Sequence, residues 1–148
     1  HGADGAAIDR DRDVEISSEM IRPQSQRRLW RRGERAVAWW LRLRGWQVLG
    51  RNVRVGRDEL DIVASHARRR LIAVVEVKST RGHGRVIDRV DAQKQFRIAR
   101  AAERLPRAWL ASRRLRFDVA VVHVHRWRCR VDYFPSAFDD LRGWGSCP

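Results

Sequence analysis

Lysine is almost missing from this chain. Of its 32 basic residues only Lys78 and Lys94 are lysines; the rest are arginines. Codon bias accounts for an arginine habit, so the two exceptions carry the information. An ammonium is a compact point charge with rotatable donors, and a guanidinium is a planar fork with diffuse charge. Cysteine is scarce too. Cys129 and Cys147 lack metal-like spacing and read as reduced thiols. No apolar run is long enough to span a bilayer, and no basic-then-apolar leader opens the sequence. The expectation is a cytoplasmic protein without a membrane partner. Acidic residues are outnumbered 18 to 32, for a formal net charge of +14. A chain this basic usually meets a polyanion, nucleic acid first. A binder of membrane surfaces or acidic proteins would use the same charge, but would not explain acids placed inside apolar strands.

The length of 148 residues suits one core. Residues 1–25 read as an acidic tail outside the fold: 1–19 hold six acids against Arg10 and Arg12, with few large apolar residues. The lone methionine, Met20, suggests that 1–19 precede the natural start or are not native. Residues 26–140 are the expected domain and 141–148 a C-terminal tail. From Gln26 to Leu43 the spacing predicts a helix with Leu29, Gly33, Ala36, Trp40 and Leu43 on one face and Glu34 at its edge. Strands follow at Trp46–Val53, Glu59–Ser65 and Leu71–Lys78. A helix capped by Asp91 runs to Leu105, where Pro106 interrupts it, and RAWLAS is expected to add a further turn or two. Arg114–His125 and Trp127–Phe134 read as an antiparallel pair, the second at an edge. The order is α-β-β-β-α-β-β, an α/β (α+β) fold around a central mixed sheet.

Two apolar strands, ELDIVA and LIAVVEVK, carry carboxylates at Asp61 and Glu76. If they form a hairpin with Asp61 opposite Glu76, the turn centre falls between Arg68 and Arg69, inside the polar HARRR segment. Opposed residues share a face with Cβ atoms about 5 Å apart. Alternation then adds Lys78 beside Glu76, and Glu59 beside Asp61 and opposite Lys78. Opposed carboxylates repel, and in a partly buried site the strain is relieved by a proton or a cation. Oxygen donors at this density suit Mg²⁺ or Mn²⁺. Exposed charges neutralised by arginines are the plainer explanation, but Glu76 follows five consecutive apolar residues, Leu71–Val75. His123 and His125 have no third ligand at zinc spacing. Asp118 reads as a partner of Arg116, Trp40 as core and Trp46 as strand packing, whereas Trp39 and Trp144 are not placed by this pattern.

An Asp on one strand followed by Glu-x-Lys on the next, here Asp61 and Glu76-Val77-Lys78, resembles the PD-(D/E)xK signature of restriction-endonuclease-like nucleases. The ordered set GERAVAWWLRLRGWQVLGRN, ELDIVA, VVEVK, VDAQK, RFDVAVV and SAF is similar to the YraN-type bacterial family, from about Arg32 to Phe138. Glu-x-Lys alone is a weak motif; the set across that length is specific. The resemblance implies an endonuclease-like fold in which Glu34, on the first helix, joins the site. It also implies that Gln93 or Lys94, on the helix after the third strand, lends a polar group. Two departures stand out: Asp58-Glu59 where the family commonly has Gly-Glu, and STRGHG after the strand.

The expected function is a Mg²⁺- or Mn²⁺-dependent DNA endonuclease, acting on duplex or on branched or structured DNA in repair or recombination. Asp61, Glu76, Glu34 and the Val77 carbonyl would hold the metal, and Lys78 would stabilise charge on the phosphate. Glu59, Gln93 and Lys94 are accessory. Arg68, Arg69 and Arg70, Arg81 and Arg85, and Arg31 and Arg35 would grip DNA phosphates without reading sequence. A homodimer suits a junction-cutting enzyme, although no residue specifies one. The alternative is a nucleic-acid-binding module of the same fold with little or no turnover.

Overall fold

The computed structural model describes residues 23–82 and 90–139. A five-stranded mixed sheet, in spatial order β1-β2-β3-β4-β5, forms the centre. Helix α1 (Gln24–Arg42) precedes β1 (Gln47–Val55), β2 (Asp58–His66) and β3 (Leu71–Arg81), each strand antiparallel to the next. Helices α2 (Ala92–Ala102) and α3 (Arg107–Leu110) then carry the chain to β4 (Arg114–Val124), which pairs parallel to β3 over its whole length. An antiparallel β5 (Cys129–Phe138) closes the far edge. The predicted elements are present; α2 ends at Ala102, short of the expected Leu105, and the turn expected from RAWLAS is α3. Residues 1–22, 83–89 and 140–148, which include most of both predicted tails as well as Arg85 and Trp144, lie outside the described residues.

The sheet is apolar on both faces. Ala73, Val75 and Val77 point to one side, where they meet Val37, Ala38 and Leu41 of α1. Ile72 and Val74 point to the other and meet Ile98, Ala99 and Ala102 of α2. A strand covered on both sides reads as a continuous apolar run, as β3 does. Each fully buried valine or leucine contributes about 1.5–3 kcal/mol relative to exposure. On β2 the alternation breaks at one place. Leu60 and Val63 join the α2 side, and Ile62 and Ala64 the α1 side, so the change of phase falls beside Asp61.

Helix α1 begins at Gln24, two residues before its predicted start, so the domain reaches into the expected tail. Its phase also differs from the prediction. The buried face is Gly33, Glu34, Val37, Ala38 and Leu41, whereas Leu43 is 80% exposed at the C-cap. Large apolar residues lie around much of this helix, so periodicity alone does not fix which stripe meets the sheet. Gly33 fixes it: a Cβ there would lie 1.9 Å from Ser79 Oγ and 3.1 Å from Ser79 Cβ. The helix backbone presses on β3 at that point, and Glu34 is carried inward by the next residue. Trp40 anchors the last turns, stacked on Tyr133 of β5 at 4.5 Å, with the Arg44 guanidinium 3.7 Å from its ring.

Candidate functional site

The β2–β3 register places the site. The ladder runs from His66↔Leu71 to Ile62↔Val75, the alignment expected from opposing Asp61 to Glu76. It ends there. One position further on, Asp61 uses its side chain where backbone pairing stops: its Oδ2 accepts the Val77 N–H at 2.8 Å. The two carboxylates therefore come together where β2 and β3 cease to pair. Asp61 is 6% exposed and Glu76 is 5% exposed. Glu76 shares the face of Ile72 and Val74, toward α2, and its Oε1 accepts a charge-assisted hydrogen bond from Lys94 Nζ. Asp91 caps α2 by accepting the Lys94 backbone N–H at 2.8 Å, which orients the first turn that carries this lysine.

Glu34 approaches from α1, 2% exposed. Its Oε2 accepts a hydrogen bond from Asn52 Nδ2 at 3.0 Å, while its Oε1 is buried with no partner. Asn52 adopts φ +50° within β1, a conformation that asparagine tolerates better than most residues. Sequence reasoning gave Asn52 no role. Its one signal was an amide side chain in the middle of a strand whose other interior residues are apolar, glycine or arginine.

The electrostatics follow from burial. Asp61 is held well above the usual carboxylate range, first by desolvation and then by the charge of Glu76, with Glu34 adding to the effect. The Val77 N–H and the Lys94 ammonium oppose that rise without cancelling it. Glu34 is also raised, chiefly by desolvation and further by Glu59; the Asn52 hydrogen bond and the charges of Arg51 and Arg31 pull it down. Carboxylates from α1, β2 and β3 thus share one poorly solvated region, with an ammonium from α2 against one of them.

Hard oxygen donors in such a region suit a divalent cation in kind, and the buried, unpartnered Glu34 Oε1 is a donor in need of one. The groups able to hold it are Asp61, Glu76, Glu34 and the Val77 carbonyl. Among the described residues no three His, Cys, Asp or Glu side chains stand together as a ready metal site, and Lys94 holds Glu76. A cation bound there would compete with the Lys94 ammonium for Glu76.

Other predicted residues fall in mixed places. Lys78 lies two residues beyond Glu76 on β3, half-buried, on the same side by alternation. Glu59 does not oppose Lys78 in the β2–β3 ladder; it opposes Arg54 on β1 and faces that guanidinium at 3.7 Å. Gln93 is exposed, and Gln95, which bonds the Val90 carbonyl at 2.7 Å, is the glutamine that fixes the start of α2. Arg68, Arg69 and Arg70 form the exposed β2–β3 turn, at the far end of the hairpin. Five residue steps separate the Leu71 pair from Glu76, about 17 Å at the rise of a strand, so these arginines do not border the carboxylates. Arg31 and Arg35 are exposed on α1 on either side of Glu34, and Arg81 is exposed at the end of β3.

His123 is no zinc ligand in this arrangement: its Nε2 meets Asp132 Oδ2 at 2.9 Å and its Nδ1 the Gly82 carbonyl at 3.2 Å. Asp118, fully buried, accepts two hydrogen bonds from Arg116 at 2.8 Å, one from the Tyr133 hydroxyl at 2.5 Å and one from the Ser136 N–H at 2.9 Å. It ties β4 to β5 across a break in their register. Burial, then the charge of Asp118, pushes the Tyr133 phenol up, so it stays a donor at any ordinary pH.

Relatives match nearly the whole described region. A protein of Syntrophotalea carbinolica is 44% identical over 123 residues, covering 78% of this chain and 94% of its own length. Proteins of Sorangium cellulosum and Rhodopirellula baltica are 43% and 44% identical, covering 77% and 75% of this chain and 83% and 70% of their own lengths. All three are named as UPF0102 proteins. The family described as Uncharacterised protein family UPF0102 matches residues 33–122, a stretch that contains Glu34, Asn52, Asp61, Glu76, Lys78 and Lys94; the chain belongs to this family, the YraN-type family that its motifs resemble.

Proposed function

We propose that this chain is a divalent-metal-dependent DNA endonuclease of the PD-(D/E)xK, restriction-endonuclease-like kind, cutting phosphodiester bonds in duplex, branched or otherwise structured DNA. The observation that carries the reading is the convergence of buried Asp61 and Glu76 at the end of the β2–β3 ladder, where burial and the Glu76 charge hold the Asp61 carboxyl well above its usual range. Stability alone offers no reason to bury two acids side by side, since desolvation and mutual repulsion both oppose it. Function supplies one.

Asp61, Glu76, the Val77 carbonyl and Glu34 would hold Mg²⁺ or Mn²⁺. When bound, the ion would neutralise the phosphate and make water a better nucleophile. The chain's own part is electrostatic and positional. Lys78 presents an ammonium on the Glu76 side of β3, where it can offset negative charge developing on phosphate oxygens. Lys94 positions Glu76 and compensates its charge until a cation takes over. Arg31 and Arg35, exposed on α1 on either side of Glu34, offer phosphate contacts near the site, and Arg81 offers one farther along β3.

The test incubates duplex, nicked, branched and single-stranded DNA with Mg²⁺ or Mn²⁺. Glu76→Ala and Lys78→Ala should each abolish cleavage by the parent chain. Cleavage that persists in both variants assigns the activity to a contaminant. A second reading, a DNA-binding module with little turnover, is favoured by the Lys94–Glu76 ion pair and by the dispersed acids. Salt-dependent binding with no cleavage under any of these conditions would select it.

A further inference from the structure

An open groove lies between the N-terminal half of α1 and the C-terminal ends of β3 and β4. Arg28, Arg32, Arg81 and Arg126 line it, together with Leu29 and Val124. None of the four arginines has an ion pair among the described residues. One is fixed in place: Arg32 Nη2 donates to the Arg126 carbonyl at 3.1 Å, tying α1 to the β4–β5 connection. Four guanidiniums converging on one concavity repel each other, and an anionic ligand would relieve that repulsion.

The same connection carries an aromatic with no packing role. Trp127 follows Arg126 in a tight turn closed by the His125 N–H on the Arg128 carbonyl at 2.9 Å. It is 85% exposed, and the Arg126 guanidinium lies 5.0 Å from its ring centre. A hydrogen-bonded turn that sets an exposed indole next to Arg126 of a basic groove suits a single strand: arginines track the backbone and the ring stacks a base.

Position separates a single strand from a duplex. Residues Val77, Ser79 and Arg81 alternate onto the α1 side of the sheet, whereas Glu76 and Lys78 lie on the α2 side. Arg81 is also five residues beyond Glu76, about 17 Å along β3. A ligand running from the groove past Glu34 on α1 to Glu76 must cross from the α1 side to the α2 side at the end of the sheet. Duplex DNA, with a persistence length of about 150 base pairs, resists such a bend. A single strand makes it freely.

We infer that the groove of Arg28, Arg32, Arg81 and Arg126, with Trp127 as its stacking platform, binds a single-stranded segment of the nucleic acid whose phosphodiester bonds face the carboxylates. This deepens the proposed function and rests on its choice of DNA as partner. The test is metal-free, so that binding is read apart from cleavage. The full chain carrying Glu76→Gln is titrated in EDTA against a fluorescent 20-nucleotide oligo-dT, an abasic phosphate strand of equal length and a 20-base-pair duplex. The oligo-dT should bind at least about fivefold tighter than the abasic strand, the lower end for one stacked base. Trp127→Ala should erase that difference, and Trp127→Phe should keep most of it. Arg28→Ala and Arg81→Ala should weaken the oligo-dT and the abasic strand alike. Discrimination that survives Trp127→Ala, in a variant with unchanged circular dichroism, overturns the inference. So does a duplex that outcompetes the oligo-dT and loses affinity through the same arginine substitutions. Single-strand binding with the expected losses, in a parent chain that cleaves nothing, supports the groove and counts against the nuclease.

Discussion

At the scale of single residues, the molecule gives up stability at Asp61. The raised pKa means that the folded state binds this proton more tightly than the unfolded chain does, whose ordinary value is 3.8. Stability therefore falls as pH rises from that ordinary range through the raised one, and the cost is fully present above it. Asp61→Asn removes the cost while keeping an acceptor for the Val77 N–H. Thermal unfolding should find the variant more stable than the parent by about 1 kcal/mol at neutral pH, with the gap closing toward pH 3.5. Mn²⁺ should raise the melting temperature of the parent and leave the variant unmoved, because a ligand stabilises only the state that binds it. Asp61 and Glu76 were legible in the sequence because acids interrupt apolar strands there. The Lys94–Glu76 bond was not, since it depends on where α2 lands on the sheet. Asn52 was missed for the same reason: its partner Glu34 is 18 residues away on another element.

Among elements, the contact of α1 with β3 sets the depth of Glu34. The absent side chain at Gly33 lets the helix close on Ser79. Gly33→Ala should cost about 1–3 kcal/mol, the usual penalty for overpacking, measured by urea unfolding. It should also lower any cleavage rate, because Glu34 moves with the helix. Ser79→Ala should restore part of the loss by removing the nearer of the two clashing atoms; no restoration would place the strain elsewhere. The β2–β3 hairpin was the most readable element. Its alternation, its polar turn and its opposed acids all specify one register, and a slip of one residue would send every side chain to the wrong face. The phase of α1 was the least readable. Trp30, Trp39, Trp40, Leu41 and Leu43 spread apolar surface around the helix, and only the sheet decides which of them it covers. Leu43, counted with the buried stripe, faces outward, whereas Glu34, placed at the edge, is inside.

For the whole molecule, charge and architecture act separately. No helix among the described residues is long and apolar enough to cross a membrane. The net charge of +14 draws polyanions toward the chain, but the salt dependence of binding counts only the phosphates that are neutralised in the complex. With the four groove arginines engaged, log affinity for oligo-dT should fall against log salt with a slope of about −3, and Arg81→Ala should flatten it by about 0.7. A slope several times steeper would mean that the exposed arginines of the β2–β3 turn and of α1 bind as well. By itself the sequence determined the elements, the hairpin register and the pairing of Asp61 with Glu76, because alternation and turn chemistry act over a few residues. Only the tertiary structure decided that Glu34 is buried, that Lys94 rather than Lys78 bonds Glu76, and that the turn arginines stand far from the acids while other arginines converge on a groove. Those outcomes depend on how helices dock on the two faces of the sheet, and docking is settled by close contacts between residues remote in the chain.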